Sequence, residues 1–445
     1  MNRFAEDLDE NRSVWAATAA PIESGPPLTG DVTADVVIIG GGFTGVSTAY
    51  HLIRRFPDKR IVLLEARRIG NGASGRSGGM ALNWINGVHA ETPERARRVY
   101  GATKSGLDWI ESTIREHGLN VRFRRIGCFD TYTDTARAEA AHESAEKLAS
   151  WGIPVRYLGG AALEPHLRAR GVVGGVLDPT TGQLHGLDFL RGLAPLLRGW
   201  GVALHEDSPV VRIEEGRTHV VHTPSGRVRA PVMVLATNAY TARLGYFTRG
   251  IFPLHSHVVA TEPLPLERWR EMGWGDTAGF CDDLDRIAYA SMSADGRLIF
   301  GGGGNGAYSY RYGGRTAWTG PAEDKFAFVR RVLERYFPEA AGVRLEHQWT
   351  GPVCATMTRV CSMGVGGEHR NVYHALGYSG HGVVLANLAG AVLCDLISDH
   401  HEPWRDLPFY QRRLDGIPPD PLRWFGYHVY TKLTGRSPRK VLPDT

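Results

Sequence analysis

The chain has 445 residues, of which 42% are hydrophobic, enough for two to three domains at ~100–200 residues each and too apolar for wholesale disorder. Its net charge of +4, from 51 basic and 47 acidic residues, is too mild to argue for a nucleic-acid partner. Five cysteines without a CxxC pair read as free thiols of a reducing compartment, and no uncharged apolar run reaches the roughly 18 residues of a membrane span.

Residues 1–33, punctuated by Pro21, Pro26, Pro27 and Gly30, read as an extended arm anchored through Trp15. No apolar signal-peptide core is visible in it, so a cytoplasmic protein is expected. Residues 34–40 (ADVVIIG) form a short β-branched run ending in glycines, the pattern of a strand buried on both faces. Val46, Ala49, Tyr50, Ile53 and Phe56 then fall at helical spacing until Pro57. Residues 60–65 (RIVLLE) give a second strand and complete a βαβ unit. Residues 91–150 read as mainly helical, 187–200 as a helix, and 228–235 as one apolar strand entering ATNAY. Several strands are expected within 251–305, a helix over 322–337, a last buried strand over 371–376 entering GYSGHG, and a helix over 383–398. The strands most like a parallel core lie near residues 35, 60, 233 and 373, so a nucleotide-binding unit assembled from separated segments is implied.

Gly40-x-Gly42-x-x-Gly45 stands between the first strand and its helix, with Glu65 twenty residues beyond Gly45. In that context Gly40 permits a tight turn, Gly42 lets backbone approach a pyrophosphate, and Gly45 lets helix and strand pack closely. The helix N-terminus would hold the pyrophosphate. Glu65 can accept both ribose hydroxyls and disfavours a 2′-phosphate, hence NADP. This pattern suits FAD and NAD alike. A second glycine-rich loop follows at residues 69–80 (IGNGASGRSGGM), whose small residues suit backbone lying along a long ligand. Arg76 within it reads either as a contact to pyrophosphate or substrate carboxylate, or as a solvated loop arginine.

Together and in order, GGGFTG, Glu65, GASGRSGG, ATNAY and GYSGHG resemble the D-amino-acid oxidase/glycine oxidase/sarcosine oxidase superfamily over residues 13–430. Within it the likeness is to γ-glutamylputrescine oxidase-like amine oxidoreductases. The resemblance implies an α/β fold in two domains. A Rossmann-like FAD-binding domain would be built from 34–90, 187–245 and 345–400. An α+β substrate domain with an antiparallel sheet would comprise 91–186 and 246–344, with arms at 1–33 and 401–445. It further implies FAD contacts from Gly40, Gly42, Phe43, Thr44, Gly45, Glu65, Ala66 and Arg67, and from Gly72, Ala73, Ser74, Gly75, Arg76, Ser77, Gly78 and Gly79. Val210 would lie by the adenine, Thr237 and Asn238 by the pyrophosphate, and Gly377, Ser379, Gly380, His381, Gly382 and Val383 by the isoalloxazine. There the helix beginning near Val383 can aim its dipole at the flavin N1–C2=O edge. His381 also reads as a structural helix-start residue.

No metal site is expected: His255-Ser256-His257 is strand-like, without a matching Cys or carboxylate cluster. No nucleophile elbow or GxxxxGK[ST] loop is present either, which leaves the flavin as the reactive centre. The implied reaction is oxidation of a C–N bond in a small amine or amino acid. Hydride passes to flavin N5, and the resulting imine is hydrolysed. Oxygen, giving peroxide, is the expected acceptor, with a quinone-linked chain as the other. Candidate pocket residues are Tyr289, Trp349, Met80, Asn83 and His255, each with core packing as the alternative. Relatives often carry an arginine two residues after the position of Tyr289; here Ser291 stands there, which removes that carboxylate anchor. Cys354 stands near the place where sarcosine oxidases attach flavin covalently; it reads as that linkage or as a buried free thiol. Lys325 lies in a charged helical stretch and reads as solvated. The basic, aromatic tail over 421–440 reads as an arm packed on the fold or a partner, rather than a membrane contact. Two other classes stay open: a non-catalytic flavoprotein in assembly or sensing, and a tRNA-modifying flavoenzyme.

Overall fold

In the computed structural model, which describes residues 8–433, the first βαβ unit consists of strand Val36–Ile39, helix Phe43–Arg55 and strand Ile61–Leu64. Alternation along the strands buries both faces. Ile38, Leu63 and Val234 join the cluster beneath the helices, while Val37, Ile39, Val62 and Leu64 pack with Val221 and Val228 on the other side. Six strands form the sheet in the order Ala203–His205, Ile61–Leu64, Val36–Ile39, Val232–Leu235, Val372–Leu376 and Ser362–Gly366. The first five pair in parallel and the last is antiparallel. The four expected core strands are therefore its contiguous centre.

Helices Phe43–Arg55, Gly186–Gly199 and Gly382–Ile397 belong to the cluster on one face. The first and third meet closely: Ser47 Oγ donates to the Asn387 carbonyl at 2.6 Å. A smaller sheet of Gly30–Thr33, Gly226–Ala230, His219–His222 and Arg212–Glu214 covers the other face. The single strand expected over 228–235 is thus two strands in two sheets. Pro231 separates them, since it has no N–H to continue a ladder.

The N-terminal arm is more structured than expected. Val14–Thr18 is a helix capped by Ser13, Trp15 is buried, and Gly30–Thr33 is a strand. The stretch 91–150 contains helices Pro93–Glu116 and Thr135–Ser150, but strands Phe123–Arg124 and Cys128–Tyr132 interrupt them. Cys128–Tyr132 enters a nine-stranded sheet that also holds Phe252–Thr261, Gly279–Asp282, Ala288–Met292 and Leu298–Gly302. Its pairs are antiparallel except that of Gly279–Asp282 with Cys128–Tyr132. Helix Glu323–Tyr336 packs behind it, where the Tyr336 hydroxyl donates to Asp282 at 2.6 Å.

The segment 345–400, expected to lie whole in the FAD half, divides. Leu345–Ala355 pairs along its length with Phe252–Thr261 in the large sheet. Only Ser362–Gly366 and Val372–Leu376, with helix Gly382–Ile397 beyond them, belong to the parallel sheet and its helical layer. The tail also differs: Leu422–Leu433 is a helix, whose first turn is tied down by Trp424 N donating to Asp420 Oδ1 at 2.9 Å. Residues 434–440 of the basic stretch lie outside the described residues. Among the described residues no helix is long and apolar enough to cross a membrane.

Candidate functional site

The first glycine turn is set by close approach. Gly40 has φ +108°, and a Cβ on Gly45 would stand 1.8 Å from the Gly40 carbonyl oxygen. Only glycine lets the helix start this near the strand end. The helix N-cap is Gly42, which offers no side-chain cap; Ser74 Oγ from the second loop accepts from Phe43 N at 3.0 Å. Glu65 braces the turn, its Oε2 accepting from Gly41 N at 2.8 Å and its Oε1 from Arg67 N at 3.0 Å. Burial pushes its pKa up to about 7, against the lowering effect of those backbone donors.

These loops open into a cavity of about 750 Å³. On the parallel-sheet side it is lined by both glycine loops, Val210, Thr237 and Asn238, and by Ser379 to Val383. On the other side stand Phe252, Leu254, Ser256, Tyr289 and Tyr308 of the large sheet, with Tyr310 just past the end of its edge strand. The two meet where the Tyr289 ring covers Gly78: a Cβ there would lie 2.7 Å from the ring. Helix Gly382–Ile397 begins at the cavity without a side-chain cap. Its N-cap His381 has a buried Nδ1 with no partner among the described residues, and burial lowers its pKa to about 4, so the ring is neutral. Two helix N-termini whose own N-cap residues make no side-chain cap bond, and an orphaned ring nitrogen, border one elongated cavity and fit a dinucleotide with a pyrophosphate and a polar heterocycle.

Most of the expected residues line this cavity, Met80, Tyr289 and Cys354 included. Cys354 is buried beside Ala239, Ile251 and Leu376, and burial pushes its thiol up to about 12. Others stand behind the wall. Gly45 and Gly79 pack against Gly40 and Trp15, the Gly75 carbonyl accepts from Asn11 and Ser13, and Gly377 N donates to Asn238 Oδ1 at 3.0 Å. Arg67 reaches the Leu8 carbonyl. Arg76 lines the cavity, but its guanidinium is spent on protein oxygens: it pairs with Asp9 at 3.0 Å and donates to the Asn71, Asp9 and Thr350 carbonyls.

Three pocket candidates do not face the cavity. Trp349 Nε1 donates to the Arg76 carbonyl at 2.9 Å, Asn83 accepts from Trp84 N at 2.8 Å, and His255 Nε2 meets the Arg315 carbonyl at 2.9 Å. Trp349 is thus tied to backbone and Asn83 to backbone and to Thr103 and Thr180, while the other ring nitrogen of His255, Nδ1, is buried without a partner among the described residues. Lys325, on helix Glu323–Tyr336, is half-buried and off the cavity. Among the described residues no group of three or more His, Cys, Asp or Glu could hold a metal.

Sequence reasoning missed the wall formed by the tail. Ile417, Pro418, Leu422, Arg423, Tyr427 and Tyr430 all border the cavity, as does Arg286. The signal was present: Arg423, Tyr427 and Tyr430 recur at four- and three-residue spacing, one face of a helix.

The sequence matches the family described as FAD dependent oxidoreductase over residues 35–396. It is 30% identical over 384 residues to a probable oxidoreductase OrdL of Haemophilus influenzae, covering 84% of each chain. It is 29% identical over 419 residues to the gamma-glutamylputrescine oxidoreductase of Escherichia coli, covering 90% of this chain and 93% of that one. In fold it matches glycine oxidase from Geobacillus kaustophilus with a TM-score of 0.72 at 22% identity, over 86% of this chain and all of that one.

Proposed function

Because the chain belongs to the FAD dependent oxidoreductase family, we propose that it oxidises the C–N bond of a small amine or amino acid, with oxygen as final acceptor. The observation that carries this reading is the continuity of the glycine-loop cradle with an aromatic chamber across the contact of Tyr289 with Gly78. When bound, FAD supplies a two-electron acceptor for the hydride leaving the carbon beside the substrate nitrogen.

The chain's own residues bind, orient and exclude water. The N-terminus of Phe43–Arg55 would hold the pyrophosphate and Glu65 the adenosine ribose. The N-terminus of Gly382–Ile397, with neutral His381, would offer its positive end to the flavin ring. Tyr289 is a wall rather than a base. Its hydroxyl lies 2.9 Å from Ser256 Oγ, and burial pushes its pKa up to about 12, so it keeps its proton. The apolar aromatic chamber disfavours an ammonium and so favours the neutral amine that can give up hydride. Rate then comes mainly from orientation and dryness. Ser291 Oγ donates to the Gly78 carbonyl at 2.5 Å and offers no anchor for an α-carboxylate.

The test is anaerobic mixing of the purified flavoprotein with sarcosine, glycine, D-amino acids, putrescine derivatives and N-methylated amines. Bleaching of the flavin by one class, and peroxide on admitting air, is the expected result. Bleaching by dithionite but by no amine would overturn the reading.

A further inference from the structure

Half of the large hydrophobic side chains that stand exposed among the described residues sit on one element. Helix Leu422–Leu433 carries Leu422, Trp424, Phe425, Val429, Tyr430 and Leu433, all exposed, and none of its residues is buried. Leu422, Phe425, Val429 and Leu433 recur at spacings of three and four, so they form one stripe along the helix. Arg423, Gly426, Tyr427 and Tyr430 border the cavity, whereas Phe425, Val429 and Leu433 do not.

An arm packed on the fold would turn such a stripe inward. Here polar and cation–aromatic contacts hold the helix to the body instead. Asp420 accepts from the Tyr310 hydroxyl at 2.9 Å, Arg423 Nη2 donates to the Thr248 carbonyl at 2.9 Å, and Asn305 Nδ2 donates to the Thr431 carbonyl. The Arg286 guanidinium carbon stands 5.3 Å from the Tyr430 ring centroid. Two exposed neighbours widen the patch: Ile287 follows Arg286, and Tyr312 precedes Gly313, whose N–H donates to Asp420. Ile287, Leu422 and Tyr430 are exposed and also border the cavity, which therefore reaches the surface within an apolar rim. Asp285 is the exposed acid at that rim, with Arg286 and Arg359 bordering the same cavity. An exposed apolar patch of this kind marks an interaction surface.

Charge decides what this face fits. Residues 421–440 hold Arg423, Lys432, Arg436, Arg439 and Lys440 and no acidic residue. A second copy docked on this helix about a two-fold axis would bring those like charges face to face. An anionic lipid surface suits both parts of the pattern: aliphatic and aromatic side chains enter at headgroup depth, and the cations meet the phosphates. Trp424 and Tyr430 are residue types enriched at that boundary. We propose that helix Leu422–Leu433 docks the protein on an anionic membrane surface, with the apolar rim of the cavity turned toward the lipid. The helix lies on the membrane rather than crossing it, since it is too short to span one. The proposal concerns where the protein works and is independent of the bond it oxidises.

The test sediments the FAD-loaded full chain with vesicles of phosphatidylcholine alone, and of phosphatidylcholine with roughly 30% phosphatidylglycerol, at ~0.1 M salt. Binding to the anionic vesicles is expected to be at least about tenfold tighter, and to fall steeply at ~0.5 M salt. Lys432→Glu changes the face by two charges and should weaken binding about 25-fold, at roughly fivefold per charge. Phe425→Ser combined with Leu433→Ser should abolish it. These three side chains are exposed and do not border the cavity, so flavin content and the unfolding midpoint should stay unchanged. Failure to bind anionic vesicles, equal binding to both vesicle types, or binding that survives the double substitution would each overturn the inference. So would a dimer in gel filtration that ignores vesicles and that the double substitution makes monomeric, since the face would then be a contact between copies.

Discussion

Glu65 couples the dinucleotide cradle to pH, and the effect can be isolated by Glu65→Gln. The carboxyl has a folded-state pKa of about 7 against 4.5 for the unperturbed group, because burial outweighs the backbone donors of Arg67, Gly41 and Ala66, and Glu206 adds repulsion. A raised pKa means that the native apoprotein binds a proton more tightly than the unfolded chain does. Between pH 4.5 and about 7 the native state therefore holds more protons, and this group's contribution to stability falls as pH rises. At ~1.4 kcal/mol per unit, the full span is about 3 kcal/mol. The amide of Gln cannot ionise and loses one acceptor, a pH-independent cost of about 1 kcal/mol. Urea titrations of wild-type and Glu65→Gln apoprotein near pH 5 and above pH 7 give the comparison. The variant should be the weaker protein in acid and lose its disadvantage, or reverse it, above neutrality. Taking the difference at each pH cancels the other titrating groups, since they are common to both chains. Parallel stability curves would refute the reasoning. On the proposed reading, in which the ionised Glu65 carboxylate accepts from the ribose hydroxyls, bound FAD should invert the trend: FAD affinity of the wild type should weaken as pH falls through 7, and that of the variant should not.

Gly45→Ala places a β-carbon 1.8 Å from the Gly40 oxygen, a backbone atom that cannot swing aside. A loss of about 3 kcal/mol, roughly 100-fold in FAD affinity, is expected, and a variant purified with full flavin would contradict it. Arg76→Ala strands three backbone carbonyls and Asp9 around a buried gap. Urea unfolding should show a cost of ~3–5 kcal/mol, and an unchanged midpoint would count against that network. The buried Cys354 thiol, at a pKa of about 12, is a poor nucleophile; acid precipitation should leave all flavin in the supernatant, and yellow pellets would show a covalent link. Tyr289→Phe should lower kcat/KM less than about tenfold with the pH profile unmoved, whereas a thousandfold loss would mark the hydroxyl as an acid or base.

What the sequence made legible, and what it hid, divides along a physical line. The parallel strands, the glycine turns and Glu65 act through neighbours within one βαβ unit, so local pattern carries them: β-branched runs, a turn only glycine can take, a carboxylate at a strand end. Arg76 could not be placed that way, because its partners Asp9 and Thr350 come from opposite ends of the chain. Trp349 and His255 alternate correctly for a strand, but which face meets the cavity depends on the pairing of Leu345–Ala355 with Phe252–Thr261, a register no local signal fixes. Helix Leu422–Leu433 hid for a different reason. Arg423, Gly426, Tyr427 and Tyr430 border the cavity, while Phe425, Val429 and Leu433 are apolar and exposed. A helix with aromatics toward a ligand and aliphatics toward solvent shows no clean amphipathic period. That blur has a physical source: none of the helix's residues is fully buried, and Trp424, Phe425 and Tyr430 are themselves exposed, so it borders the cavity without packing into a core that would impose a clean stripe.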